Sequence, residues 1–154
     1  MDYSYRITKY RYLTFGGTLR SPATEWTSFS EIDQEDDDRT REYLAIEGEY
    51  ISLAIYLCNS FGASSLKVQG LENSKPIEND ICEGQSFTIA QVPKLIASIL
   101  REEFWCRLIG DGIEFHFGYD YYMYFVSDRD ASEFILNSKT KLFTQEFLSP
   151  YMID

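Results

Sequence analysis

The sequence predicts an α+β fold: one domain, a mainly antiparallel sheet ending in a C-terminal three-strand meander, and about three helices packed on it. Three observations predict this. Apolar residues in the 39–59 stretch recur at three- and four-residue spacing, which is helical. Residues 104–126 hold three short alternating runs separated by glycine-bearing turns, which is the pattern of a meander. The chain has 154 residues, 44% hydrophobic and 16% aromatic, enough for one filled core and too few for two ordinary domains. That aromatic content also excludes disorder over the whole length.

The elements follow in order. Residues 5–13 alternate and are rich in Tyr, Ile and Thr, so they read as a strand with Tyr5, Ile7 and Lys9 on one face. Phe15-Gly16-Gly17 ends it. Residues 25–32 fit either a short strand or an ordered loop. The acidic run 33–38 reads as a solvated loop leading into a helix, whose N-terminus favours negative charge. That helix, predicted over 39–59, places Tyr43, Ile46, Tyr50, Leu53 and Leu57 on one stripe, widened by Leu44, Ile51, Ile55 and Cys58. Asn59-Ser60-Phe61-Gly62 stops it.

Residues 65–71 read as a strand with Leu66 and Val68 inward, 72–84 as a loop, and 84–89 as a short strand. Val92-Pro93-Lys94 opens a second helix to about residue 103, with Leu95, Ile96, Ile99 and Leu100 as its apolar face. The meander strands are predicted at 104–109, 112–117 and 121–126, joined at Gly110-Asp111-Gly112 and Gly118-Tyr119-Asp120. Ile113, Phe115 and Phe117 share one face of the middle strand, and Glu114 and His116 the other. Ser127-Asp128-Arg129-Asp130 resembles a capping box for a third helix to about residue 137. A last strand is expected over 142–147, and Pro150 ends regular structure.

The N-terminus shows neither the basic start nor the apolar run of a signal peptide, and no apolar stretch approaches the roughly 20 residues of a membrane span. Cys58, Cys82 and Cys106 stand singly, as free thiols of a reducing compartment do. The expected location is the cytoplasm.

Catalytic equipment is sparse. His116 is the one histidine, and Glu114 could orient it as a general base; the plainer interpretation is a cross-strand polar pair on the solvent side of the sheet. No clustered His and Cys ligands suggest zinc, and the acidic run lacks the order of a calcium loop. No phosphate-cradling glycine loop is present. The expectation is a non-enzyme without metal or cofactor.

Charge says more. The net charge is −11, which disfavours direct, sequence-independent binding of nucleic acid. It is unevenly spread: +3 over residues 1–20, −8 over 21–49 and −6 over the rest. Such a patch either keeps the protein soluble or steers a basic partner onto it. Tyr119, Tyr121, Tyr122 and Tyr124 form a second cluster, and tyrosine suits interface anchors as well as cores. Alternation puts Tyr122 and Tyr124 on one face, and Tyr121, Met123 and Phe125 on the other.

Several segments resemble a family of bacterial immunity proteins associated with polymorphic and contact-dependent growth inhibition toxins. They are Tyr5-Arg6-Ile7-Thr8-Lys9-Tyr10, Glu25-Trp26-Thr27-Ser28-Phe29-Ser30-Glu31-Ile32, Phe117-Gly118-Tyr119-Asp120-Tyr121-Tyr122-Met123-Tyr124 and Glu146-Phe147-Leu148-Ser149-Pro150-Tyr151. The family tends to carry Asp-Ile-Gly after its Trp-Thr-Ser stretch; this chain has Glu31-Ile32-Asp33. The resemblance implies a cytoplasmic antidote that binds one cognate toxin domain, often a nuclease. The expected function is therefore neutralisation of a basic toxin, an RNase favoured, by covering its active site or substrate groove. Glu31, Asp33, Glu35, Asp36, Asp37 and Asp38 are the candidates for steering and charge pairing, with Tyr119, Asp120 and Tyr122 as lesser anchors. The alternatives are a small-ligand enzyme using Glu114 and His116, and a regulatory adaptor with another protein partner.

Overall fold

A computed structural model describes residues 1–10, 29, 32, 35–72, 81–118 and 121–152, together with the backbone of 12–13 and 19–20. Nine strands and three helices are found among them: β1 (Tyr3–Thr8), β2 (Tyr12–Leu13), β3 (Leu19–Arg20), α1 (Asp37–Phe61), β4 (Ser65–Glu72), β5 (Ser86–Thr88), α2 (Val92–Leu100), β6 (Trp105–Gly110), β7 (Ile113–Phe117), β8 (Tyr122–Ser127), α3 (Ser132–Asn137) and β9 (Phe143–Glu146). Seven strands form one sheet in the order β5-β4-β6-β7-β8-β1-β9. Every adjacent pair is antiparallel. The α+β class and the meander β6-β7-β8 are as the sequence predicts.

One face of the sheet carries Tyr5, Ile7, Leu66, Val68, Leu108, Phe115, Met123 and Phe125, all buried in a single core with the helices. α1 packs its Tyr43, Tyr50, Leu53 and Leu57 there. Phe61, at its last turn, meets Phe125 and Phe134 ring to edge at 5.5 and 5.4 Å. Leu44 was expected to widen this stripe but is 49% exposed, because it sits one position past Tyr43 and points away from the sheet. α1 is longer than predicted at both ends. The Asp36 carboxylate accepts the N–H groups of Asp38 and Arg39, so part of the acidic run is the helix's own first turn. Gly62, in the left-handed region at φ 73°, closes the other end.

Other boundaries moved for identifiable reasons. The predicted strand 5–13 divides, because the Lys9 N–H leaves the ladder to donate to the Tyr50 hydroxyl at 2.9 Å. β2 then pairs with β3 in a separate two-stranded ribbon. α2 ends at Leu100 rather than near 103: Glu102 turns left-handed, φ 60°, and delivers Phe104 into the core. Ser127 is no helix cap. Its hydroxyl donates to the Arg129 carbonyl at 2.7 Å, and α3 starts at Ser132, whose N–H donates to the Asp130 carboxylate at 2.8 Å. The Phe15-Gly16-Gly17 stop and nearly all of the ambiguous 25–32 stretch lie outside the described residues; only Phe29 and Ile32 of the latter are placed, both packed on the core.

Candidate functional site

Glu31, Asp33, Tyr119 and Asp120 lie outside the described residues. Glu35, Asp36, Asp37 and Asp38 are all exposed at the N-terminal end of α1. Asp36 is occupied by capping. Asp38 approaches Arg41 at 3.6 Å, a solvated i,i+3 pair that contributes little. The Tyr43 ring lies 6.2 Å from that of Tyr121, at the start of β8. From Tyr43 the helix runs about 9 Å further to Asp37. The acidic turn therefore stands at the same end of the molecule as the turn that enters β8.

Tyr122 follows directly, but on the other side of the sheet. It is half-buried, 5.8 Å from the Tyr10 ring and under the Arg6 guanidinium at 5.4 Å. Only part of its ring faces solvent. Tyr124, on the same face, is buried; its ring meets Phe147 and Tyr151 at 6.2 and 5.9 Å. The sequence left this face open to solvent. In the structure it is roofed by the C-terminal segment, residues 147–152.

Beneath that strap runs a polar row across five strands. Gln145 pairs with Arg6, Arg6 with Tyr124, and Tyr124 with His116, and Arg107 stands one strand further. Arg6 and Arg107 are buried. The Gln145 amide oxygen accepts from the Arg6 guanidinium, which also lies 3.9 Å from the centre of the Phe147 ring. Arg107 donates to the Tyr151 carbonyl at 3.5 Å, and Trp105 packs on the Tyr151 ring at 5.5 Å.

His116 is fully buried, so the expectation of a solvent-side pair is corrected. Its partner Glu114 is also a neighbour on the same strand, not a cross-strand residue. Glu114 lies 2.7 Å from Nε2, and the Ser149 hydroxyl 2.8 Å from Nδ1. One assignment satisfies every group: Nε2–H donates to Glu114, Ser149 donates to Nδ1, and the Ser149 oxygen accepts the Tyr151 N–H at 3.2 Å. The hydrogen bond from His116 holds the Glu114 carboxyl below its ordinary value, against the opposing effect of burial; Arg107 adds to it. Serine, histidine and glutamate in a row suggest nucleophilic chemistry, but neither the hydroxyl nor the ring faces solvent here. As built, the trio pins the strap to the sheet.

Ser149, Arg6 and Arg107 were not singled out from sequence. Polar residues at alternate strand positions read as a solvated face, and the only hint of a cover was the aromatic tail after the last strand.

Burial pushes the thiols of Cys58 and Cys106 up to about 12, so both are inert. Cys82 is exposed. Among the described residues, no group of three or more His, Cys, Asp or Glu side chains is placed to hold a metal ion. No helix is long and apolar enough to cross a membrane. No protein-family model matches the chain, and neither a curated protein nor a solved structure shows significant similarity to it.

Proposed function

We propose that the chain is an immunity protein that binds and neutralises a cognate basic toxin domain, a nuclease with an RNase favoured, by covering its active site or substrate groove. The carrying observation is the way charge is partitioned. Arg6, Lys9 and Arg107 are recessed in the protein, while the only buried acid among the described residues is Glu47. Glu47 is itself neutralised by a two-pronged bond to Arg101, 2.9 Å at each contact. Among the described residues, the solvent-facing surface is therefore more acidic than their summed charge, and Glu35, Asp37 and Asp38 project from one end of it. Such a surface suits a cationic protein and repels a phosphate backbone. The family resemblance supplies the identity of the partner.

The test is whether a toxin domain is encoded immediately upstream and, where one is, whether the chain associates with it. Reversing Glu35, Asp37 and Asp38 to Lys, with Asp36 kept so that the helix stays capped, slows association about 10- to 100-fold at low salt. The two proteins converge as salt rises. Unchanged kinetics would remove this end as the docking surface; absence of both binding and protection would remove the antidote reading. The enzyme alternative needs the strap to leave His116. A His116→Ala protein that still protects the cell argues against it.

A further inference from the structure

We infer that β9 is a docking edge for a second copy of this chain, the two β9 strands pairing antiparallel about a two-fold axis at Gln145. The inference is independent of the antidote reading. It starts from the ladder. The Phe147 N–H donates to the Ser4 carbonyl at 3.0 Å, continuing the β1–β9 register in which Gln145 faces Arg6 and Phe143 faces Thr8. In an antiparallel ladder, alternate residues turn their N–H and C=O inward. Residues 143, 145 and 147 therefore face β1, and Thr144 and Glu146 point theirs out from the edge of the sheet. β9 is the last strand on this side, so nothing in the sheet pairs with them.

Edges of this kind are normally kept short, charged or covered. The opposite edge, β5, has three residues, and its outer two, Ser86 and Thr88, are polar and exposed. β9 is different. Seven large hydrophobic side chains are exposed among the described residues, and four of them lie in or beside this strand: Phe143 (41%) within it, Phe147 (39%) and Leu148 (72%) just after it, and Leu136 (78%) on α3. Between α3 and β9 lies an open groove of about 440 Å³, lined among others by Tyr5, Leu136, Leu142, Thr144 and Glu146. It leaves room on the helix side of the sheet for the side chains of an added strand.

The edge is complementary to itself. Lys139 and Lys141 precede the strand and Glu146 ends it, all three exposed. Antiparallel pairing of two copies puts Glu146 of each on the same half of the seam as Lys141 of the other, about 10 Å apart along the strand, whereas parallel pairing would align like with like. Only pairs of outward-facing residues can exchange hydrogen bonds, which restricts the register. The register centred on Gln145 pairs Thr144 with Glu146 of the second copy. It also sets Phe143 opposite Phe147 and Leu142 opposite Leu148, each twice. Cross-strand aromatic pairs of this kind are among the favourable ones. Both α3 helices then lie on the same side of the seam, with Leu136 standing over it.

Sedimentation of the purified chain over a concentration series, at low and high salt, tests this. A dimer is expected at the upper concentrations. It should strengthen with salt, because each copy carries −11 and screening relieves the repulsion. A complex with a basic toxin weakens with salt, so the two associations are distinguishable. Thr144→Pro removes an outward-facing N–H without touching the β1 ladder and weakens the dimer at least about tenfold. Should that variant melt early, Leu136→Lys combined with Leu148→Lys serves instead, since both side chains are already in solvent. A chain that is monomeric at every concentration in both salts overturns the proposal. So does a dimer that neither variant weakens.

Discussion

Tyr50 shows how much one side chain can hold. It is fully buried on α1; its hydroxyl donates to the Tyr121 carbonyl at 2.5 Å and accepts from the Lys9 N–H at 2.9 Å. It thus ties the end of β1 and the entry to β8 to the middle of the helix. Burial pushes its hydroxyl far above the ordinary tyrosine value, so it remains a neutral donor at any pH the protein meets. Tyr121 is held with φ at 63°, a conformation costly for a residue with a side chain. The Tyr50 bond helps to keep it there, as does the Tyr121 hydroxyl, which donates to the Leu100 carbonyl at 3.0 Å. Tyr50→Phe keeps the ring and strands both partners in the core. We expect a loss of about 1–3 kcal/mol in urea unfolding. A loss below about 0.5 kcal/mol would mean that solvent reaches these groups in the variant.

At the scale of elements, α1 couples stability to the acidic end. Its cap is an aspartate within the very run that gives that end its charge, so one residue has two duties. Asp36→Asn keeps the capping oxygen and removes the charge; Asp36→Ala removes both. Asn should be nearly neutral, whereas Ala should cost about 1 kcal/mol of thermal or urea stability. Equal losses in the two would show that charge at the helix end, and not the cap bond, is what matters. This helix was legible in the sequence because a burial stripe of Tyr43, Tyr50, Leu53 and Leu57 repeats at its period, and the meander because Gly112, at φ 75°, sits where the turn needs it. The division of the first strand at Lys9 was not legible, since it depends on a hydroxyl 41 residues away. Nor was the burial of Tyr124 and His116, which follows from a six-residue tail folding back across the sheet. Of the four acidic candidates among the described residues, exposure was readable from composition; that Asp36 would be spent on a cap was not, because capping depends on where the helix begins.

Apart from the β2–β3 ribbon, the described residues form three layers: helices, sheet and strap. The helix–sheet layer is mostly apolar, and its one buried acid among the described residues, Glu47, is held by Arg101. The sheet–strap layer is built of polar groups, and its response to acid follows from their pairing. Glu114 is the carboxylate bonded to His116, with Arg107 among the groups acting on it. Its carboxyl is held below the ordinary glutamate value of 4.5, so the folded state prefers the ionised form more strongly than the unfolded chain does. That preference stabilises the fold fully above about 4.5 and is lost as the pH falls through the lower, folded value. Glu114→Gln keeps an oxygen that accepts from His116 but cannot ionise. Its urea midpoint should lie below that of the parent protein at neutral pH, and the gap should narrow steadily on acidification below about 4.5. Near-ultraviolet circular dichroism from Trp105, Tyr124 and Tyr151 locates the change, because those rings touch across the strap. A gap that stays constant down to the acid limit would show that Glu114 is not what makes this layer sensitive to acid.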